Sequence, residues 1–271
     1  MLTILHTIET GGPGGAETIL LNLASHLDPS RFRSLVLLPR AGWLHSQLQE
    51  ARVPTFFVHS NAWYDLRLPR ALVALARREK VDVIHSHLPD QNFYSALVGG
   101  LAGCKVVVTY HGSQQLLPPR SLKCALKLGV VKRGASTVVV VSEYLKGKLA
   151  DAGFLKDRIV RIHNGIEAPS IPSQLTARLR EELGCVNGAK LVGTVANIRE
   201  SKGYEYFLRA ARLVADSMPE VRFAAAGEAD PKLSRKLFSL RRELNLEKQV
   251  LFLGFRKDVE QLLAAFDVFV L

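Results

Sequence analysis

Cysteine is scarce in this chain of 271 residues, and the three that occur, Cys104, Cys124 and Cys185, show no paired spacing. This scarcity excludes a disulfide framework and a cysteine-type zinc site. A protein with few, unpaired cysteines is expected in a reducing compartment, so we predict a cytoplasmic location.

Long apolar runs are also missing. A membrane-spanning helix needs about 18 consecutive apolar residues, whereas the richest stretches, 97–108 and 135–141, are too short, and Lys105 interrupts the first. The chain reaches Glu9 before any long apolar run and begins without a basic segment, so no signal peptide is predicted. An apolar share of 48% with 23% charged residues is instead typical of an ordinary globular protein and excludes a disordered chain.

Acidic residues are absent between Asp90 and Glu143, a stretch that carries several basic side chains. They are Lys105, Arg120, Lys123, Lys127, Lys132 and Arg133. Residues 1–168 carry 20 basic against 12 acidic side chains, and the whole chain has a formal net charge of +11. Such a basic face suits nucleic acid, an anionic membrane or a phosphorylated substrate, and it also fits a solvated helix surface.

Short apolar runs alternate with amphipathic segments along the first 165 residues. The runs are rich in β-branched residues and nearly continuous, as expected for strands that are buried on both faces. They predict strands at 2–7, 34–39, 55–59, 81–87, 105–110, 137–142 and 158–163. Helical periodicity occupies the segments between them, and strand–helix–strand repetition indicates a parallel sheet with crossover helices. We therefore predict an α/β domain over residues 1–165.

The segment 164–174 interrupts this rhythm, because its Asn-Gly pair, two prolines and two serines are typical of a linker or hinge. After it the alternation resumes and predicts a second parallel α/β domain over residues 166–271. Its strands are expected at 190–197, 221–227, 249–254 and 267–271, with helices at 203–217, 231–244 and 258–265. Since no helix follows the final apolar strand, this second domain is expected to be incomplete.

A glycine-rich turn, GGPGGAE at 11–17, lies between the first predicted strand and the first predicted helix. Glycine lets backbone amides approach a ligand closely, and a helix N-terminus offers unpaired N–H groups, so the turn suits an anion such as phosphate. It is not the dinucleotide fingerprint, because Glu17 occupies the third glycine position and no acidic residue ends the second strand. A P-loop is excluded because no Gly-Lys-Ser/Thr follows. A tight turn without a ligand is the alternative.

Four histidines, His85, His87, His111 and His163, stand at or near predicted strand ends, where open α/β sheets bind ligands. The spacing of His85 and His87 would suit a shared metal ion, but no carboxylate cluster accompanies them, and we predict no metal site. His111 is followed by Gly112, which opens the backbone beside it. A neutral imidazole at this position suits a hydrogen bond with a sugar hydroxyl, and the alternative is a structural histidine.

In the second half of the chain, the segment 194–203 ends a predicted strand and leads into a helix that opens at Gly203. Arg199 and Lys202 lie in this loop. An arginine fork and a lysine point charge beside a helix N-terminus suit a diphosphate, although a basic pair is also common on protein surfaces. Facing the glycine turn across an interdomain cleft, these two cations would complete one phosphate site.

Eight segments, taken in order, resemble the large family-4 (group 1) glycosyltransferases. They are GGPGGAE, DVIHSH, VVTYHG, VVVVSEYLKGKL, IVRIHNGIE, ANIRESKG, FAAAG and VLFLGFRKDVEQLLAAFDVFVL. The resemblance covers essentially the whole chain and implies the GT-B fold, in which two Rossmann-like domains with parallel sheets face a cleft. It also implies a metal-independent hexosyltransferase of polysaccharide biosynthesis, which transfers a sugar from a nucleotide-diphospho-sugar to a glycan, lipid-linked or other acceptor with retention of configuration.

The resemblance assigns roles to individual residues. Gly14 and Gly15 would offer backbone N–H groups to the donor phosphate, and His111 would lie beside the donor sugar as the candidate catalytic residue. Arg199 and Lys202 would neutralise the diphosphate leaving group. The nucleotide-diphospho-sugar would act as a co-substrate, so no cofactor and no metal are expected.

Further residues are assigned to the base and the hinge. Phe255 and Arg256 would fall where backbone atoms contact the nucleotide base, and Asn164 and Gly165 would lie on the turn into the hinge with a structural role. Nucleic acid is not expected as a partner. The basic first domain is expected to meet a phosphorylated or lipid-linked acceptor, with a peripheral contact at the inner face of an anionic membrane.

The sequence departs from the family in two places. Asn197 stands where the commoner family pattern has arginine, and Arg199 lies two positions later. The family's pair of glutamates and its closing helix would follow after Leu271, so the chain as it stands is expected to lack full activity. Two other interpretations stay open, namely a non-catalytic nucleotide-sugar-binding fragment or subunit, and a GT-B-type nucleotide-sugar epimerase.

Overall fold

The computed structural model describes residues 1–59, 65–112, 122–165, 170–186 and 188–271. These residues form two compact units, Met1–Ile166 and Glu167–Leu271, called unit 1 and unit 2 below. Each unit contains one β-sheet in which all strand pairs are parallel. No helix in the described ranges is long and apolar enough to cross a membrane.

Seven strands form the sheet of unit 1: β1 (Leu2–Ile8), β2 (Phe32–Leu38), β3 (Thr55–Phe57), β4 (Val83–His87), β5 (Lys105–Tyr110), β6 (Thr137–Val140) and β7 (Ile159–Arg161). The helices are α1 (Gly15–His26), α2 (Trp43–Glu50), α3 (Arg67–Arg78), α4 (Pro89–Ala102), α5 (Leu122–Gly134) and α6 (Glu143–Asp151). The spatial order is β3-β2-β1-β4-β5-β6-β7. The order therefore changes direction between β1 and β4, which is where open α/β sheets bind their ligands.

The strands of unit 1 are apolar on both faces because helices cover both faces. On β1, Leu5 packs into the apolar cluster that contains Leu72 of α3. On the opposite face of the same strand, Ile8 packs with Leu20 of α1 and Leu48 of α2. Burial on two sides explains why these strands read as continuous apolar runs rather than as alternating patterns.

Unit 2 holds four parallel strands, β8 (Leu191–Val195), β9 (Arg222–Ala226), β10 (Val250–Gly254) and β11 (Val268–Phe269), in the order β10-β9-β8-β11. Its helices are α7 (Ser173–Glu182), α8 (Tyr204–Ser217), α9 (Pro231–Glu243) and α10 (Val259–Ala265). The predicted fold class, with a parallel α/β sheet in each half of the chain, is confirmed. The strand predicted over 267–271 is shorter than expected, since only β11 pairs with β8.

Helix α7 was not predicted from the sequence, because the prediction continued the linker to residue 174 and placed no element before β8. Most of its residues are polar, and its apolar signal rests on only two leucines, Leu175 and Leu179, which lie one helical turn apart. The structure buries Leu179 in one cluster with Leu183 and with Leu262 of α10. A contact across about 80 residues of sequence therefore stabilises a helix that the local pattern indicates only weakly.

Arg180 of α7 holds three parts of unit 2 together. Its guanidinium donates to the carbonyl oxygens of Ala265 and Ala189, each at 2.7 Å, and to the carboxylate of Asp267 at 2.9 Å. The same carboxylate accepts the N–H of Leu191 at the start of β8 at 2.8 Å. Burial raises the pKa of Asp267, but this hydrogen bond and the neighbouring cations outweigh burial and lower the pKa to about 2.

Replacing Arg180 by alanine should destabilise unit 2 by about 2–3 kcal/mol, because two carbonyls and one carboxylate would lose a charged donor. The measurement is urea unfolding of the variant and the wild type. Arg178→Ala is the matched control, since Arg178 is exposed on the same helix. Equal midpoints for the two variants would show that the Arg180 contacts contribute nothing.

Candidate functional site

The carboxyl ends of β1, β4 and β5 lie side by side at one edge of the sheet of unit 1, since β1 pairs with β4 and β4 with β5. Strand β1 leads towards the glycine-rich turn, β4 ends at His87, and His111 directly follows β5. The structure thus brings the predicted glycine turn and the predicted histidine to the same edge of one unit.

The glycine-rich turn begins α1. Gly14 is the N-cap of this helix, and its carbonyl accepts the N–H of Thr18 at 2.9 Å. A Cβ on Gly15 would meet nothing within 4 Å in the described structure, so a ligand has room to approach there. A Cβ on Gly14, however, would strike the carboxylate of Glu17, which is buried and accepts a hydrogen bond from the Thr10 hydroxyl. An anion at this helix start would share the turn with a carboxylate, which the sequence analysis did not foresee.

Glu9 is a further residue of this edge that sequence reasoning missed. It follows β1, and its carboxylate accepts the backbone N–H of Asp90 at 2.7 Å and of Gln91 at 3.3 Å, in the first turn of α4. Burial raises the pKa of Glu9, and the nearby carboxylate of Asp90 acts in the same direction. Asp90 itself forms an ion pair with Lys127 of α5. A side chain after β1 therefore supplies the N-terminal hydrogen bonds of a helix 80 residues away.

His111 stands at the open end of a row of four imidazoles. His6, His85 and His87 come from β1 and β4, with ring centroids 5.4 Å apart for the first two and 4.4 Å for the last two. His87 Nδ1 lies 2.8 Å from His111 Nε2, and His85 Nε2 lies 2.8 Å from the Thr109 hydroxyl. His6 and His87 have no exposed surface. The register explains the row, because His6 lies opposite His85 on the paired strand.

Burial keeps all four imidazoles neutral. It lowers the pKa of His6 to about 3 and the pKa values of His85 and His111 to about 4. The pKa of His87 also lies well below its ordinary value, first because of burial and then because of the three neighbouring rings. Sequence reasoning missed His6, since one histidine in an apolar strand carries no signal until the pairing of β1 with β4 is known.

The ring nitrogens of His6, His85 and His87 lie within 4.8 Å of one another, close enough to be compared with a metal site. No carboxylate or thiol of a described residue belongs to this group of ring nitrogens. Two of the three imidazoles also already use a ring nitrogen, one on Thr109 and one on His111. The absence of a metal site therefore stays our prediction.

The predicted diphosphate residues of unit 2 lie on an exposed loop. Arg199 precedes a 3-10 turn at Glu200–Lys202, and Gly203, in the left-handed conformation at φ 68°, is the N-cap of α8. The side chains of Arg199 and Lys202 are exposed, and no ion pair with another described residue engages them. The two cations and the start of α8 therefore stand together, as the sequence predicted, and both charges are accessible to a ligand.

A cavity of about 350 Å³ lies beside this loop, at the carboxyl ends of β8, β9 and β10. Its walls include Ile198, Gly227 and Gly254, which follow or end these strands. Gly227 has a φ of 144°, and a Cβ there would strike the carbonyl of Ala196. The Ile198 N–H donates to the Glu228 carbonyl at 2.8 Å, so the Arg199 loop is hydrogen-bonded to the wall of the cavity. Sequence reasoning did not identify this cavity.

Phe255 and Arg256 follow Gly254 directly and so adjoin this cavity. Phe255 is exposed, but the guanidinium of Arg256 is already engaged with Asp258, at 2.6 and 2.8 Å, and with Glu182 of α7 at 3.2 Å. These carboxylates raise the pKa of Arg256, led by the hydrogen bond with Asp258. The side chain of Arg256 thus holds the loop, which leaves backbone atoms for the predicted contact with a base.

The predicted hinge residues, Asn164 and Gly165, are exposed and follow β7. Nearby, His163 Nδ1 lies 3.1 Å from the Val141 carbonyl, so this strand-end histidine binds the backbone and stays apart from the row of imidazoles. Residues 166–169 lie outside the described part of the chain. The hinge role of Asn164 and Gly165 stays a prediction.

Two curated relatives resemble the chain over most of its length. The UDP-Gal:alpha-D-GlcNAc-diphosphoundecaprenol alpha-1,3-galactosyltransferase of Escherichia coli is 25% identical over 242 residues, which cover 86% of this chain and 62% of that protein. The N-acetyl-alpha-D-glucosaminyl L-malate synthase of Bacillus anthracis is 25% identical over 228 residues, which cover 82% and 58%. The chain thus spans less than two thirds of the length of either relative.

Solved structures and family models agree with these relatives. Anabaena Alr3699/HepE in complex with UDP-glucose matches with a TM-score of 0.86 and 26% identity, over 99% of this chain and 73% of that one. The predicted GT-B fold is confirmed by such neighbours. The model described as Glycosyl transferases group 1 matches residues 189–271, and the model described as Glycosyltransferase Family 4 matches residues 13–168. The Glycosyltransferase Family 4 model alone matches more than half of the residues of this chain. The chain therefore belongs to Glycosyltransferase Family 4.

Proposed function

We propose that this protein transfers a hexose from a uridine-diphospho-sugar to a glycan or lipid-linked acceptor, with retention of anomeric configuration. The observation that carries the proposal is the match to Anabaena Alr3699/HepE in its complex with UDP-glucose, at 26% identity over nearly the whole chain. The relative from Escherichia coli, named for a UDP-galactose donor and a diphosphoundecaprenol-linked acceptor, supports the same donor class and a lipid-linked acceptor.

The chemistry proposed for the site is electrostatic. As the bond between the sugar and the diphosphate breaks, negative charge grows on the diphosphate, and positioned cations and N–H groups stabilise that charge. Arg199 and Lys202 are the proposed cations, and the backbone N–H groups of Gly14 and Gly15 are the proposed further donors. His111, a neutral imidazole at the end of β5, is proposed to hydrogen-bond the donor sugar.

The test is an assay of the purified protein with UDP-glucose or UDP-galactose and a diphosphoprenol-linked sugar, in which released UDP and the glycosylated product are both measured. The proposal expects both products in equal amounts, with the donor's anomeric configuration kept in the new linkage. Interconversion of the donor sugar without glycosylation would support the epimerase instead. UDP binding without any turnover would support the non-catalytic fragment or subunit.

We also propose that the reaction needs neither a metal ion nor a cofactor, since two basic side chains beside a helix start can neutralise the diphosphate. Turnover should therefore persist, unchanged within error, after dialysis against a strong chelator. Loss of turnover with recovery on adding a divalent ion would contradict the proposal. The zinc content of the same sample should be negligible, because we also predict that the buried cluster of His6, His85 and His87 binds no metal.

We propose further that the start of α5 docks on an anionic membrane. Leu122 and Leu126 are 77% and 63% exposed, and the exposed Lys123 lies between them, so this face is apolar and basic at once. Arg120, which belongs to the same predicted patch, lies outside the described residues. Lys127 contributes less than expected, because Asp90 pairs with it and its side chain is only 18% exposed.

Binding to the membrane should be weak and dependent on salt, because each basic residue near an anionic leaflet contributes about 1 kcal/mol. We expect co-sedimentation with phosphatidylserine vesicles at low salt and none with phosphatidylcholine vesicles. The double variant Leu122→Ser with Lys123→Ser should reduce it severalfold. Lys248→Ser in unit 2 is the control for a lost charge. Vesicle binding that the double variant leaves unchanged would refute the docking.

A further inference from the structure

His87 is the one residue of the row of imidazoles that contacts His111 within hydrogen-bond distance among the described contacts, through Nδ1 and Nε2 at 2.8 Å. Both rings are neutral, because burial holds both pKa values far below 7. A neutral imidazole carries one N–H donor and one acceptor nitrogen. The contact therefore has two possible arrangements, which differ in the ring that donates.

The surroundings of His87 distinguish these two arrangements. His87 Nε2 is fully buried and has no hydrogen-bond partner in the described structure. If His111 donated, the proton of His87 would sit on Nε2 as a buried N–H without an acceptor, a group that is rare in native proteins. If His87 donates from Nδ1, its Nε2 carries only a lone pair. The second arrangement leaves no buried N–H without a partner on His87, and it is the favoured one.

We propose that His87 is a positioning residue for His111. Its Nδ1–H donates to His111 Nε2, fixes the orientation of that ring, and places the proton of His111 on Nδ1. The ring then meets the sugar as a neutral N–H donor in one defined tautomer. The link to the sugar rests on the proposed function, whereas the tautomer is a property of the protein alone.

The same hydrogen bond opposes a charge on His111. A protonated His111 would donate from both nitrogens, so His87 Nδ1 would have to accept, and its own proton would move to the buried Nε2. The titratable groups that face this pair among the described residues are the imidazoles of His6 and His85, and both are buried and neutral. The neutral hydroxyl of Thr109 faces His85. The preferred tautomer of His87, with its proton on Nδ1, therefore helps to keep His111 neutral.

The protein without substrate allows a direct test by long-range ¹H–¹⁵N NMR of the histidine rings, assigned with single variants. The proposal expects a pyrrole-type nitrogen at Nδ1 and a pyridine-type nitrogen at Nε2 of His111 at pH 7. The opposite assignment, or a mixture of tautomers, would overturn it. This result does not depend on any donor, so it stands even if the protein transfers no sugar.

Two variants separate positioning from simple packing. His87→Asn keeps an N–H donor near the position of Nδ1, whereas His87→Leu removes it. In His87→Leu the two tautomers of His111 should become mixed, whereas in His87→Asn the proton should stay on Nδ1 of His111. The control is His6→Leu, because neither ring nitrogen of His6 has a hydrogen-bond partner among the described residues. Equal behaviour of His111 in all three variants would overturn the proposal.

Activity gives the second readout. In His87→Leu, kcat should fall by at least about tenfold, as expected when a histidine loses the partner that fixes its tautomer, and His87→Asn should recover much of the loss. Affinity for UDP alone should be the same in every variant, because no phosphate contact is assigned to His87. If His87→Leu does not fold, the tautomer of His111 in the wild type and in His87→Asn still tests the proposal. An active His87→Leu with unchanged kcat would contradict positioning.

Discussion

Alanine in place of Lys202 should weaken the binding of UDP roughly ten- to hundredfold, since one charge-assisted contact to a phosphate contributes about 1.5–3 kcal/mol. Lys202 is exposed and makes no ion pair with the described residues, so the loss of its charge should leave the fold unchanged. Arg199→Ala is expected to act in the same direction. Isothermal titration with UDP measures both variants.

The matched control for this prediction is Lys248→Ala. Lys248 is also exposed, but it lies just before the amino end of β10, at the opposite edge of the same sheet. Removing its charge lowers the net charge of the protein equally without touching the proposed phosphate position. If Lys248→Ala weakens UDP binding as much as Lys202→Ala, the effect is only one of overall charge. Unchanged affinity in Lys202→Ala would remove this loop from the proposed site.

Folding stability should fall steeply as the pH drops from 6.5 to 5. The pKa values of His85 and His111 are about 4 in the folded protein and that of His6 is about 3, against 6.5 when unfolded. In this window the unfolded chain binds protons that the folded protein refuses, so acid favours unfolding. Each imidazole that stays neutral costs about 2 kcal/mol at pH 5, which for several rings is comparable with the whole stability of a domain.

Chemical unfolding at pH 7, 6 and 5 measures this loss. His6→Leu should flatten the dependence, because it removes a buried group that resists protonation. Asp267 does not interfere, since its lowered pKa removes stability only below about pH 4. Glu9 acts in the opposite direction, because its raised pKa lets the folded protein take up a proton more readily. A stability that stays constant from pH 7 to pH 5 would show that the imidazoles are not buried in solution.

Local patterns were sufficient for most elements of the fold. The continuous apolar runs predicted every strand of unit 1, because burial on both faces leaves a signal in each strand alone. They could not give the order of the strands, which depends on long-range pairing such as that between His6 and His85. Helix α7 was missed for a related reason, since its stability comes from α10 and from the Arg180 contacts rather than from its own pattern.

The candidate site was also predictable only in those parts that leave a local pattern in the sequence. Residue types near strand ends were enough to propose the glycine-rich turn, His111, Arg199 and Lys202, because the carboxyl ends of parallel strands meet at one edge of each sheet. The residues that orient these groups lie elsewhere in the chain, and no local sequence pattern identified them. The hydrogen bond from His87 is an example, because it joins positions 24 residues apart.

The place of β1 in the middle of its sheet bears on how unit 1 folds during synthesis. One edge of β1 pairs with β2, which is nearby in the sequence, but the other edge pairs with β4 and stays unpaired until β4 has been synthesised. At about 5–20 residues per second, the 75 or so residues between β1 and β4 take roughly 4–15 seconds to synthesise. Throughout that interval a nascent chain would display an apolar strand edge with unpaired backbone groups, a template for aggregation. Contacts with a ribosome-associated chaperone are therefore expected to be strongest before residue 87 has emerged.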